Sequence, residues 1–232
     1  ENLLTRANGA LVAPIQRDLI VRHLGLCPYA ETVSSMQRFT ASRTAATPDE
    51  IWMLEHPPVF TQGRAANPDH VLAPGGIPVV NSDRGGNVTF HAPGQITAYL
   101  LIDLKRRNIG VRALVEKMEN ALIRTLDHWQ VAAQTQIGAP GVYVDGAKIA
   151  SLGLRVRRGC CYHGLSLNID MDLSAWLRIN PCGLDVAMTQ LSDLVEIEFN
   201  QTQVVEVLLE YLCAGLGYTE RAGSQLQQSV AT

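Results

Sequence analysis

The chain has 232 residues, 47% of them hydrophobic and 18% charged, the proportions of a globular protein with a sizeable core. Its 19 basic and 22 acidic side chains give a net charge of −3, so no global positive field points to nucleic acid. Five cysteines without a CxxC pair argue against a structural zinc site and a disulfide framework, and for a reducing, cytoplasmic setting. Apolar runs such as Gly9 to Ile15 are too short to span a bilayer, and the N-terminus lacks the basic-then-apolar layout of a secretory signal. No membrane or nucleic-acid partner is expected.

Residues 1–18 carry no clear period and read as an N-terminal extension. Leu19 to Leu24 is a first strand, ended by Gly25, and Pro28 opens a helix that runs to about Arg43. Ile51 to Glu55 is a second strand, stopped by Pro57-Pro58, and Val59 to Thr61 resumes extended structure. Pro78 to Val80 is a short strand leading into a glycine-rich stretch, after which Ile96 to Asp103 reads as a buried strand. The clearest helix spans Val111 to Trp129, with Leu114, Val115, Met118, Leu122 and Leu126 on one apolar face. Asp145-Gly146 between two apolar runs is a type I′ hairpin signal. Tyr162 to Ile169 is the next strand, Asp172 starts a helical turn, and Asn200 to Leu216 is a last amphipathic helix. Strands clustered in hairpins with a few helices give an α+β fold: one domain over 19–217, a mixed or antiparallel sheet with helices on one face, and a tail over 218–232.

Three stretches carry chemistry. Arg84 to Gln95 packs three glycines, a proline, an arginine and a histidine into twelve residues. Glycines let backbone amides approach a phosphate or a carbonyl oxygen, yet the stretch fits neither nucleotide-binding fingerprint. No His or Cys stands at metal-ligand spacing from His91, so no metal and no cofactor is expected. Lys148 lies in an otherwise apolar strand, where alternation puts Ala150 on its face and Ile149 on the other; it is either a solvated edge residue or a placed cation. Asn180-Pro181-Cys182-Gly183 sets a thiol between a stiff, extended approach and an open backbone. Cys182 is either a small core residue or a nucleophile, and a nearby ammonium would lower its pKa by roughly 1–3 units without any imidazole base.

Together these segments are similar to the lipoyl(octanoyl) transferases of lipoate biosynthesis. Arg84-Gly85-Gly86-Asn87-Val88-Thr89-Phe90-His91-Ala92-Pro93-Gly94-Gln95 resembles their RGG-x-VT-[YF]-H-GPGQ segment. Glu55 to Gly63, Ala139 to Val144, Lys148 to Gly153, Arg158 to Asn168 and Asn180 to Gly183 match as well, so the resemblance runs from about Leu19 to Leu194. Asn87 stands where glutamine is usual and Ala92 where glycine is, which narrows the loop slightly. The resemblance implies a biotin/lipoate protein ligase-like fold, a sheet flanked by helices, and ATP-independent transfer of an octanoyl group from acyl carrier protein to a lysine of lipoyl domains. Acceptors would be the E2 subunits of 2-oxoacid dehydrogenases and the glycine cleavage H protein. Carried over by position, Cys182 holds the acyl thioester and Lys148 lowers its pKa. Arg84, Gly85, Gly86, Asn87, Val88, Thr89, Phe90 and His91 line the acyl and substrate pocket, with Ser151, Leu152, Gly153, Gly164, Leu165 and Ser166. Lys148 or a backbone N–H near Gly183 or Gly85-Gly86 would steady the oxyanion. Arg106, Arg107, Arg155, Arg157 and Arg158 would dock an acidic partner.

Three readings compete with the transferase. An ATP-dependent lipoate or biotin ligase of the same fold would need nucleotide but no nucleophilic cysteine. A non-catalytic acyl-binding module would keep Cys182 structural. A cysteine hydrolase would want an orienting histidine, for which His91 and His163 are available.

Overall fold

The computed structural model describes residues 19–181 and 186–218, together with the backbone of the strand Arg221–Leu226. In chain order the elements are β1 (Leu19–Leu26), α1 (Tyr29–Ser42), β2 (Asp49–Glu55), β3 (Val59–Gln62), β4 (Val79–Asn81), β5 (Val88–His91) and β6 (Gln95–Leu101). There follow α2 (Leu104–Arg107), α3 (Val111–His128), β7 (Gln134–Gln136), β8 (Ala139–Val144), β9 (Ala147–Arg157), β10 (Cys160–Asn168), α4 (Gln201–Leu216) and β11 (Arg221–Leu226). Short 3-10 turns stand at Pro68–His70, Leu173–Arg178 and Leu191–Asp193.

The main sheet among the described residues has eight strands in the order β11-β1-β2-β6-β10-β9-β8-β7. Its β11, β1 and β2 run parallel, and every later neighbour is antiparallel. The stretch expected as a tail therefore holds an edge strand. A second sheet, β4-β3-β5, carries the glycine-rich stretch. The hairpin between β8 and β9 turns at Asp145 and Gly146, whose φ angles of 49° and 84° are both left-handed, as a type I′ turn requires.

Helices on one face is the expectation the structure corrects. Ile51, Met53, Ala98 and Leu100 pack with Leu114, Met118 and Leu122 of α3 and Leu208 and Leu212 of α4. Trp52, Leu54, Tyr99 and Leu101, the alternate residues of the same strands, pack with Met36 and partly buried Val33 and Phe39 of α1. All seven residues of β6 are buried, so both faces of the sheet need cover. A third cluster, Phe60, Phe90, Ala92, Met171 and Trp176, joins the small sheet to the turn at Leu173–Arg178. Capping sets the helix ends. Asn200 and Gln203 form a reciprocal capping box at the start of α4, and Gly217 closes its other end in the left-handed conformation.

Candidate active site

Between α1, the small sheet and the β6-β10-β9 part of the main sheet lies a cavity of about 220 Å³. That is below the roughly 300–1,000 Å³ of sites for drug-sized ligands, and suits a small or slender group. The Arg84 stretch forms one wall, and Arg84 itself holds the wall together. Its guanidinium donates to Thr61 O at 2.6 Å, Thr61 Oγ1 at 2.8 Å and Gly85 O at 2.9 Å, while the side chain is 8% exposed. Gly85 donates its N–H to Leu154 O on β9 at 2.9 Å, so this amide is not an oxyanion donor. A Cβ on Gly153 would stand 3.0 Å from Gly85 O; the glycines let the loop lie directly on the strand.

Lys148 is buried, at 6% exposure, and lines the cavity. It reaches that position because alternation breaks. Ala150, Leu152 and Leu154 belong with the core under α3, so a regular strand would turn Lys148 into that core too. Instead Val142 pairs with Ala150 and Tyr143 with Lys148, which makes Ile149 an extra residue, a β-bulge that re-aims the lysine. Lys148 and Ala150 therefore do not share a face as the sequence pattern suggests, nor is Lys148 a solvated edge residue. Its Nζ stands 5.3 Å from the centre of the Tyr143 ring. Gly141 makes room for the stem, since a Cβ there would lie 2.3 Å from Lys148 Cε.

The segment that follows the Pro-Cys-Gly stretch is laced to the same strand. Lys148 N–H donates to Ala187 O at 2.8 Å, Thr189 N–H donates to Lys148 O at 3.0 Å, and Met188 forms a parallel bridge with Lys148. Pro181 lines the cavity. Cys182 and Gly183 lie outside the described residues. Of the other thiols, Cys161 is fully buried and its pKa is pushed up to about 12 by desolvation. Burial also raises Cys27 and Cys160, and Cys213 is packed in the core.

A group of rings forms the wall nearest α1. Tyr29, His56, His91, Tyr99 and His163 stand 5.1–5.9 Å apart in consecutive contacts. Partner chemistry fixes each tautomer. His56 Nδ1 donates to Cys27 O at 2.6 Å, so its Nε2 accepts from Tyr99 OH at 2.7 Å. Gln95 Nε2 donates to Phe90 O and Asn168 Oδ1, which turns its oxygen to His91 Nδ1 at 2.7 Å and makes that nitrogen the donor. His163 Nε2 donates to Asp83 Oδ1 at 2.8 Å. Burial lowers all three imidazoles, His56 to about 4, and keeps them neutral at pH 7. Asp83 favours the charged form of His163, but burial outweighs it; His163 in return helps hold Asp83 at about 2.

The structure brings most of the expected pocket residues together. Arg84, Gly86, Asn87, Val88, Thr89, His91, Lys148, Ser151, Leu152, Gly153, Gly164, Leu165 and Ser166 all border the cavity. Gly85 and Phe90 do not: Gly85 is bonded to β9, and Phe90 packs on Phe60 and Trp176 behind the wall. Ala92 lies in that same small core, so the departure there adds a methyl to packing rather than to the pocket. Sequence reasoning missed Tyr29, Thr97, Tyr99 and Gly138 as lining residues, and did not place Ala139, Pro140, His163 and Pro181 there although they fall in the matching segments. Thr97 and Tyr99 were readable as alternate polar positions in an apolar strand; Tyr29 and Gly138 carry no such signal. Among the described residues, no group of three or more His, Cys, Asp or Glu side chains could hold a metal ion. No helix among them is long and apolar enough to cross a membrane.

Residues 28–213 match the family described as lipoyl protein ligase A/B catalytic domain. An octanoyltransferase of Marinobacter nauticus is 53% identical over 204 residues, covering 88% of this chain and 96% of that protein. One from Pectobacterium atrosepticum is 57% identical over 182 residues, covering 78% and 80%. Among solved structures, a bipartite lipoate protein ligase from Thermoplasma acidophilum superposes with a TM-score of 0.71 at 13% identity, over 90% of this chain and 88% of that one. A lipoate-protein ligase A bound with ATP gives 0.68 at 13% identity, over 86% and 85%. These two likenesses speak to the fold.

Proposed function

The chain belongs to the lipoyl protein ligase A/B catalytic domain family, and from that premise we propose a cysteine–lysine transferase acting in two covalent steps. It is an octanoyltransferase of protein lipoylation, as are its relatives at 50–57% identity. In the first step the Cys182 thiolate attacks the octanoyl thioester of acyl carrier protein. The carbon–sulfur bond to the carrier breaks and its thiol leaves. In the second, the lysine amine of a lipoyl domain, in an E2 subunit or a glycine cleavage H protein, attacks the enzyme thioester and Cys182 leaves as thiolate. Exchange of one thioester for another is nearly isoenergetic and amide formation runs downhill, so no ATP is required. The catalytic domain runs from 19 to 226, because β11 completes the edge of its main sheet, and the setting is the cytoplasm.

The observation that carries the residue assignment is the buried Lys148 on the cavity wall, with Ala187 bonded to its backbone five residues after Cys182. An ammonium held there favours the thiolate electrostatically. Burial disfavours the thiolates of Cys27, Cys160 and Cys161, and Cys213 is packed in the core, which argues against each of these four as the nucleophile. The ATP-dependent ligase reading rests on fold likeness at 12–13% identity, which carries no adenylation chemistry. One experiment tests the proposal: intact-protein mass after mixing with octanoyl-acyl carrier protein and no nucleotide. An octanoyl adduct that disappears in Cys182→Ala is expected; an adduct that persists in that variant, or that needs ATP, overturns it.

A further inference from the structure

The strand register divides the cavity floor into two rows. Ser166 on β10 pairs with Ser151 on β9 and Thr97 on β6, and Gly164 pairs with Gly153 and Tyr99 on the same two neighbours; all six line the cavity. Lys148 lies before the hydroxyl row. Its ammonium reaches the level of Ala150, since a Cβ on Gly141 would stand 3.1 Å from Lys148 Nζ and 2.7 Å from Ala150 O. At the glycine row stands a wall of four side chains, Tyr29, Arg84, Tyr99 and His163, each of which lines the cavity. Arg84 Cδ would lie 3.4 Å from a Cβ on Gly153, and the Arg84 charge is near enough to Tyr29, Tyr99 and His163 to bear on their ionisation. The cavity thus runs from the ammonium, over the hydroxyls, to this wall.

The wall is hard to move. Arg84 is held by Thr61 and Gly85, Tyr99 OH donates to His56 Nε2 at 2.7 Å, and His163 Nε2 donates to Asp83 Oδ1 at 2.8 Å. Displacing any of these three breaks a buried or half-buried hydrogen bond. Tyr29 is the exception. It opens α1, and its hydroxyl donates to Ser82 Oγ at 2.7 Å, a half-buried partner that stays within reach of water. From Ala150 to Gly153 is three residues, roughly 10 Å of strand. An octanoyl group has seven carbon–carbon bonds; at roughly 3.6 Å for every three chain bonds it extends about 8 Å. An acyl chain that starts beside the ammonium therefore fills the interval at octanoyl length. We propose that this wall is the stop that excludes longer acyl chains, and that Tyr29 is its specificity-determining residue. The inference rests on the transfer proposed above, which sets the thioester carbonyl beside Lys148. A longer chain must displace fixed, hydrogen-bonded side chains, and one of octanoyl length need not.

Chain-length profiles test this, because a profile is a ratio that a general loss of activity does not move. Transfer of hexanoyl, octanoyl, decanoyl and dodecanoyl groups from acyl carrier protein to a lipoyl domain gives kcat/KM for each. Calorimetry with the corresponding free carboxylates reads the cavity without any chemistry. The wild type should drop sharply beyond octanoyl in both measurements. Tyr29→Ala should move the optimum to decanoyl or dodecanoyl, each newly buried methylene gaining roughly fourfold. Tyr29→Phe, which keeps the ring, should keep the wild-type profile. Ser151→Leu, which fills the floor nearer the ammonium, should move the optimum to hexanoyl and decides the matter if Tyr29→Ala does not fold. An unchanged profile in folded Tyr29→Ala or in Ser151→Leu, or a shift in Tyr29→Phe as large as in Tyr29→Ala, overturns the proposal. A wild-type protein that transfers no acyl group but binds the carboxylates with the same cut-off refutes the transferase reading and supports the stop.

Discussion

The backbone N–H of Lys148 donates to the carbonyl oxygen of Ala187 at 2.8 Å, tying the bulge that aims the lysine to the segment that follows Cys182. If the lysine serves the thiol, its removal must change the thiol. Lys148→Ala is expected to raise the pKa of Cys182 by roughly 1–3 units, with a matching fall in octanoylation rate at pH 7. The pH dependence of alkylation, followed by mass on the Cys182 peptide, measures it directly. An unchanged profile removes Lys148 from that role.

Gly141 gives the same idea an indirect test. Its φ of 141° and the 2.3 Å gap between a notional Cβ and Lys148 Cε mean that an alanine must displace the lysine stem. The same methyl would lie 2.7 Å from Ala150 O, so the bulge itself would shift. Gly141→Ala should therefore lose most of its acyl-enzyme formation, as Lys148→Ala does, and the double variant should be little worse than either single one. Additive losses would mean that Gly141 acts on something other than Lys148.

Much of the site could be read from the chain, and the part that could not shares one cause. The glycine-rich wall, the β8–β9 hairpin and the apolar face of α3 follow from local chemistry: glycine where backbones touch, Asp-Gly where φ is positive, Leu and Met at helical spacing. Lys148 and His163 defeat the same kind of reasoning. Each sits where alternation would place it in the core under α3, and each is turned to the cavity by a local break, a bulge at Ile149 and a left-handed φ at His163. Neither break has a sequence signature: the bulge is a matter of register against Val142 and Tyr143 across the hairpin, and the turned His163 is held by Asp83, far back in the chain. Local rules fail where function needs a polar side chain aimed out of turn. Helices on both faces follow from Trp52, Leu54, Tyr99 and Leu101, which make a second apolar face that α1 covers; a strand apolar on both sides does not say where in the chain the covering helix comes from.

The buried imidazoles make a prediction about acid. His56 is fully buried and neutral, with its pKa lowered to about 4 from 6.5 mainly by desolvation. Between those two pH values the unfolded chain binds the proton and the folded one does not, so stability rises with pH across that window. Acidification from pH 6.5 to 4 should cost about 3 kcal/mol through this group alone. His91 and His163, also lowered, act in the same direction. Thermal unfolding midpoints across this range should fall for the wild type and fall less steeply for His56→Gln. A flat wild-type profile would contradict the buried, neutral assignment.

The last prediction concerns docking of the acyl carrier. Of the five arginines that the sequence offers, two are occupied within the fold. Arg106 pairs with Asp49 at 2.6 Å and donates to Thr47 O at 2.8 Å, while Arg107 bonds Leu216 O and lies over the Tyr218 ring. Arg155 is half-buried beside Tyr162. Arg157 and Arg158 are exposed at the turn between β9 and β10, at the far end of the strand that carries Lys148. A charge at the rim of an interface alters encounter and its salt dependence more than the chemistry that follows. Arg157→Glu should raise KM for octanoyl-acyl carrier protein several-fold, leave kcat nearly unchanged, and flatten the rise of KM with ionic strength. Arg106→Glu should instead lower the unfolding midpoint, because it strips a cation from buried Asp49 and sets a second carboxylate beside it. A KM for the carrier that ignores both salt and Arg157→Glu would place the docking surface elsewhere on the molecule.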